Sequence, residues 1–268
     1  MKKPNNTPLS TLINRRQALK GGGTALALAA VPKVALGQKV GAPKGSTLTF
    51  ENIPQTITKT HNVAEGYTAN VLIRWGDPVT RNAPAFDPHK QTVDAQSRQF
   101  GYNNDFIAYL PFETRRGPNS TQGLLFVNHE YTNPAMMFAN GKHPRDTEIE
   151  MAAHGGTGIE IQKGDMGWQV MPHSNYNRRI TVETPMRLAG PAAGHNRLKT
   201  RAAPDGMTVT GTLNNCAGGR TPWGTVLMAE ENFDDYFGGT DPDNLPNEAE
   251  NHKRYGIRET SRYGWEKK

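Results

Sequence analysis

A single cysteine, Cys216, lies in the run Asn214-Asn215-Cys216-Ala217-Gly218-Gly219, and two adjacent carboxylates, Glu230 and Glu231, begin fourteen residues later. With no second cysteine in the chain, an intramolecular disulfide is impossible. A thiolate is a soft ligand suited to a transition metal, whereas carboxylates are hard oxygen donors suited to calcium. The combination points to iron with calcium nearby. The plain alternative is a small buried hydrophobe, but asparagines and glycines on both sides make a poor apolar pocket. A second chemistry-bearing run, Asn128-His129-Glu130-Tyr131, follows the apolar stretch Leu124–Val127. Glu130 can bind a hard cation and His129 could ligate or orient it, although a Glu beyond a strand is often simply solvated. A third run, Gly101-Tyr102-Asn103-Asn104-Asp105, offers Asp105 with Asn104 behind it. Asn and Asp in such a turn usually bond their own backbone, and a bound Ca²⁺ is the sharper reading. Strand alternation sends Glu230 and Glu231 to opposite faces, yet both can converge on a metal cluster where a strand runs out into a loop. Gly155-Gly156-Thr157-Gly158 lacks the lysine and the strand-to-helix setting of a phosphate loop, and no Gly-x-Ser-x-Gly is present. The Gly-Pro-Ala-Ala-Gly-His run at 190–195 reads as a loop that positions His195.

The elements that must hold these groups are short. The chain carries 28 glycines and 19 prolines and is 35% apolar, which favours many brief segments joined by turns. Strand-like runs occur at 48–50, 70–75, 106–110, 124–127, 168–170, 208–210 and 225–229, each bounded by Gly, Pro, Asn or Asp. No amphipathic helix longer than three turns stands out. The expectation is an all-β domain, and irregular spacing with long polar loops suits a β-propeller better than a compact sandwich. From Gly238 to Lys268 the chain is polar with little to bury, and by composition it is loop or disorder.

The N-terminus has a different character. Asn14-Arg15-Arg16-Gln17-Ala18-Leu19-Lys20 precedes an Ala-rich apolar segment from Gly21 to about Leu36. Paired arginines before a weakly hydrophobic, glycine-opened stretch are the pattern of a twin-arginine signal, with cleavage expected after Gly37. The apolar run is far short of the roughly 20 residues of a spanning helix, so no stable membrane anchor is expected. Domain boundaries follow: a signal peptide at 1–37 and a single domain at 38–268. The signal holds six of the 31 Lys and Arg residues and none of the 25 Asp and Glu, leaving 25 of each sign in the rest. The +6 net charge therefore belongs to the leader, and nucleic-acid binding is excluded. An exported chain is periplasmic or secreted, where a free thiol oxidises unless it is ligated or used.

At Gly101–Asp105, Leu125–Glu130, Gly211–Gly219, Thr221-Pro222-Trp223-Gly224-Thr225 and Glu230-Glu231-Asn232 the chain resembles the PhoX family of twin-arginine-exported bacterial alkaline phosphatases. The resemblance runs from about Gly66 to the C-terminus. It implies a six-bladed propeller, a site of Fe³⁺ and Ca²⁺, hydrolysis of phosphate monoesters, and the Tat translocase as export partner. It also implies that Cys216 and Glu130 are catalytic metal ligands and that Glu230 or Glu231 supplies further carboxylates, with Asp105 in a supporting role. Family members are roughly twice this length. The expectation is thus the N-terminal part of a propeller, truncated at the C-terminus and unstable or inactive alone. Two other readings stay open: a non-catalytic calcium-binding exported propeller, and a calcium-dependent lactone or ester hydrolase. Neither requires the thiol.

Overall fold

The computed structural model describes residues 50–239 and 248–267. The signal segment and residues 48–49 of the first expected strand lie outside these. The chain divides into two units, one ending at Asn70 and the other running from Val71 to Lys268. Within the first, residues 50–70 contain no strand, and Phe50 packs edge-on against Tyr67 with ring centroids 5.7 Å apart. All the elements below belong to the second.

A five-stranded antiparallel sheet is the largest element. Strand β1 (Ile107–Thr114) turns through two residues into β2 (Gly117–His129), which pairs with β3 (Gly155–Gly164). Strand β3 then pairs with β4 (Gly167–Val170) and, near its start, with β5 (Arg178–Ile180). Two hairpins follow: β6 (Pro185–Arg187) with β7 (Thr208–Thr210), and β8 (Asn215–Arg220) with β9 (Val226–Glu230). Separate antiparallel sheets linked by loops are the all-β pattern expected.

Helices are short connectors. Helix α1 (Val93–Arg98) starts at Thr92, whose hydroxyl accepts from the Ala95 amide, and carries Asp94 in its first turn and Arg98 in its last. Helix α2 (Pro134–Met137) opens on a proline, and α3 (Thr147–Ala153) follows a 3-10 turn at Pro144–Asp146. Half-buried Arg179 of β5 donates to the carbonyls of Ala152 and His154, which closes the C-terminal end of α3 onto the sheet. Burial lowers the guanidinium to about 9.

One core cluster joins Val127 of β2 and Ile159 and Ile161 of β3 to Val79 and Phe100. Because β2 ends in the fully buried trio Val127, Asn128 and His129, its terminus is fixed in depth and register.

Two expectations fail. Residues 70–75 form no strand: Gly76 donates to the Phe100 carbonyl and the Asp77 carboxylate takes the Arg74 amide, so the segment turns, while Leu72 and Ile73 still pack on the core. The segment after Gly238 is not loop throughout. Helix α4 (Ala249–Tyr255) ends at Gly256, which adopts a φ of +73°. Beyond it Tyr263 stacks on Tyr236 at 4.5 Å, and Trp265, 9% exposed, joins Val182, Leu213 and Tyr236 in a second core. A few aromatics anchor a stretch whose average composition is polar.

Candidate metal centre

The turn before β1, the residue after β2 and a bulge in β8 meet at one point. There one ligand atom each from Asp105, Glu130 and Cys216 lie within 4.8 Å of one another. Among the described residues this is the group of His, Cys, Asp and Glu side chains able to hold a metal ion.

Each arm is set by its own backbone. Asn103 sits in the left-handed region at φ +52°, which asparagine tolerates better than most residues. Its carbonyl accepts the Glu130 amide at 2.9 Å and its carboxamide donates to Glu130 Oε2 at 3.2 Å. Two residues on, Asp105 is held by Asn128, whose Oδ1 accepts the amides of Asp105 and Phe106 at 3.0 and 2.8 Å. The same side chain donates through Nδ2 to the Cys216 carbonyl at 2.6 Å. Register slips between Asn215 and Gly218, so Cys216 lies on a β-bulge, a device that re-aims a side chain. Gly218 is required next to it: a Cβ there would stand 2.3 Å from the ring of Phe106.

Glu230, the last residue of β9, and Glu231, just beyond it, part company. Glu230 Oε1 accepts from the Thr212 hydroxyl at 2.6 Å and the Leu213 amide at 3.0 Å, which makes it a brace for the loop entering β8. Glu231 belongs with the cluster electrostatically, since its charge acts on both Glu130 and Cys216. Its amide is tied to the Asn214 carbonyl at 3.0 Å.

His129 is fully buried and both ring nitrogens are in use. Nε2 accepts from the Gly101 amide at 3.3 Å and lies 2.6 Å from Thr157 Oγ1, so the proton resides on Nδ1, which donates to Asn104 Oδ1 at 3.0 Å. Burial holds this imidazole well below its ordinary pKa. Of the two roles open to it, it performs the orienting one, bracing the Asn104 turn. His195 is exposed, its Nδ1 accepts the Arg197 amide to cap a short 3-10 turn, and it is not among the ligand trio. The Gly155–Gly158 run is the start of β3.

Sequence reasoning assigned no role to Asn103, Asn128 or Tyr236. The phenol of Tyr236 lies 3.1 Å from Nε2 of buried His154, and burial, Tyr263 and the charge of Glu130 all raise its pKa. The run Asn-His-Glu held a signal for Asn128, because a polar residue so close behind a buried apolar run must find partners inside.

Acidic groups crowd together at this point. Burial first, then Asp105 and Glu231, push Glu130 up to about 7. Burial and the charges of Asp105, Glu130 and Glu231 push the Cys216 thiol up to about 11. None of the ion pairs among the described residues engages Asp105, Glu130 or Glu231. Acidic groups that repel one another in the absence of a cation all ionise once a metal compensates them. One thiolate with hard carboxylates fits a transition metal with oxygen-bound cations beside it.

The family described as alkaline phosphatase PhoX matches residues 48–268. Among solved structures the chain is similar to Pseudomonas fluorescens PhoX in complex with vanadate, a transition state analogue, at 40% identity and a TM-score of 0.74. That match covers 82% of this chain and 38% of the other, so the chain spans well under half the length of the protein it resembles. No curated protein matches.

Proposed function

We propose a function from a plain premise: this chain belongs to the PhoX alkaline phosphatase family and shares its β-propeller fold. The reading is metal-dependent hydrolysis of phosphate monoesters, releasing phosphate outside the cytoplasm. The observation that supports it most is the convergence of Asp105, Glu130 and Cys216 from three separated segments.

In this reading Cys216 gives the sulfur ligand to iron, Glu130 and Glu231 give carboxylates, and Asp105 completes the oxygen set toward calcium. Bound cations would supply positive charge against the phosphoryl oxygens and lower the pKa of water. The chain's own residues do the positioning. Asn103 and Asn128 hold the Glu130 and Asp105 arms, the β8 bulge presents the thiolate, and Glu230 braces the loop that enters the bulge. Export by the Tat translocase as a folded protein is part of the same proposal, carried by Arg15 and Arg16. Among the described residues no helix is long and apolar enough to cross a membrane.

The test is hydrolysis of a chromogenic aryl phosphate beside the matching carboxylic ester, with and without a chelator. Phosphate-selective turnover that the chelator abolishes, and that Glu130→Gln reduces at least a hundredfold, is the expected result. Chelator-insensitive turnover, or preference for the carboxylic ester, would refute the phosphatase reading.

A further inference from the structure

We propose that Asn128 is the positioning residue of the metal centre: one buried carboxamide sets Asp105 and Cys216 at the spacing a shared cation site requires. The proposal rests on the reading above that this cluster binds metal.

Asn128 is fully buried in the last turn of pairing between β2 and β3, opposite Gly156. Its orientation is determined by its partners. Two amide N–H groups, from Asp105 and Phe106, converge on one side-chain atom, which must therefore be the oxygen. The NH₂ group then faces the carbonyl of Cys216. Its own backbone N–H donates to the Phe106 carbonyl at 3.2 Å, so strand and side chain both grip Phe106. Glu130 follows two positions along the chain. One residue thus touches the backbone of two ligand arms, and the third leaves the end of its own strand.

The arrangement answers a specific difficulty. Asp105, Glu130 and Cys216 come from segments distant in sequence and must be brought to one point. Flexible arms would splay apart, and binding a metal would have to pull them back together. Neutral hydrogen bonds through Asn128 fix the backbones without adding charge to the cluster. A carboxylate at this position would accept the two amides equally well but would set an oxygen against the Cys216 carbonyl.

Asn128→Asp therefore separates the two arms, keeping the Asp105 side and breaking the Cys216 side. Wild type, Asn128→Asp and the core control Ile161→Ala would be purified as the whole protein and compared by iron retained against a competing chelator. Thiolate-to-iron(III) charge-transfer absorption and thermal unfolding would be recorded on the same samples. Asn128→Asp is expected to bind iron about 10–100-fold more weakly and to lose or shift the thiolate band. Ile161→Ala, which removes core packing distant in kind from the ligands, is expected to unfold at lower temperature with the band intact. A normal band and normal retention in Asn128→Asp would overturn the proposal while leaving the metal site standing. Equal loss in Ile161→Ala would overturn it too, reducing Asn128 to general stability. Absence of a thiolate band in wild type would overturn the underlying site reading and this proposal with it.

Discussion

Gly218→Ala is the sharpest perturbation of the site that leaves Asp105, Glu130, Cys216 and Glu231 in place. The new Cβ would lie 2.3, 2.5 and 2.8 Å from three carbons of the Phe106 ring, against the 3.5–4.0 Å or so of a comfortable carbon–carbon contact. Ring or strand must yield by more than about 1 Å. Phe106 cannot absorb that freely, because its amide and carbonyl are both bonded to Asn128 and its neighbour Asp105 shares the same acceptor. Overpacking of this kind costs about 1–3 kcal/mol, or roughly 2–10 °C in unfolding temperature for a domain of this size. Displacement of a ligand arm by about 1 Å is worth on the order of a hundredfold in turnover. Gly219→Ala is the matched control, since a Cβ there meets nothing within 4 Å and should stay within about 0.5 kcal/mol of wild type. The assay is thermal unfolding with aryl phosphate turnover on both variants. Equal behaviour of Gly218→Ala and Gly219→Ala would refute the claim that Phe106 packing sets the Asp105 arm.

Further outcomes follow from other parts of the structure. Glu230→Ala should cost about 1 kcal/mol through its lost bonds to Thr212 and Leu213 with only a modest loss of metal, whereas Glu231→Ala should lose metal at little cost in stability; urea unfolding and elemental analysis of both would show a reversed pattern if the assignment is wrong. His154, fully buried between the Glu150 carbonyl and Tyr236, is lowered to about 4, below the roughly 6.5 of the unfolded chain. The unfolded state therefore takes up the proton first, and the stability present above pH 6.5 drains away as pH falls toward 4. At pH 5 the loss is about 2 kcal/mol, with His129 adding in the same direction. Because Glu130, raised to about 7, gains stability over the same pH range, the reading is the difference between wild type and His154→Gln in the apo protein: equal changes of urea midpoint from pH 7 to 5 in the two would contradict it.

Much of the site was legible because its chemistry is unusual for its setting. A lone cysteine among asparagines and glycines, and acids at strand ends, stand out in sequence whatever the fold. Strands β1, β2, β4, β7 and β9 were legible from branched and aromatic residues between turn formers. Strand β8 was not: Asn-Cys-Ala-Gly-Gly-Arg has no strand propensity, and it is extended because β9 pairs with it and Phe106 needs the bare Gly218. That pairing ends at Glu230, whose carboxylate turns to Thr212 and Leu213, while Glu231 lies beyond it, a split a strand end read alone leaves ambiguous. The stretch after Gly238 misled through its average, since Tyr263 and Trp265 reach back to Tyr236, a contact no local composition contains. Asn128 shows the remaining gap. Its value lies in which backbones it meets, and that is a property of register.

On the proposed reading the Cys216 thiolate binds a metal together with Glu130. X-ray absorption at the iron edge of the purified protein, repeated on Cys216→Ser, tests it most directly. Wild type is expected to show a sulfur neighbour of iron that vanishes in the variant, with iron content falling alongside. Iron surrounded by oxygen and nitrogen alone in wild type, or an unchanged spectrum in Cys216→Ser, would contradict it.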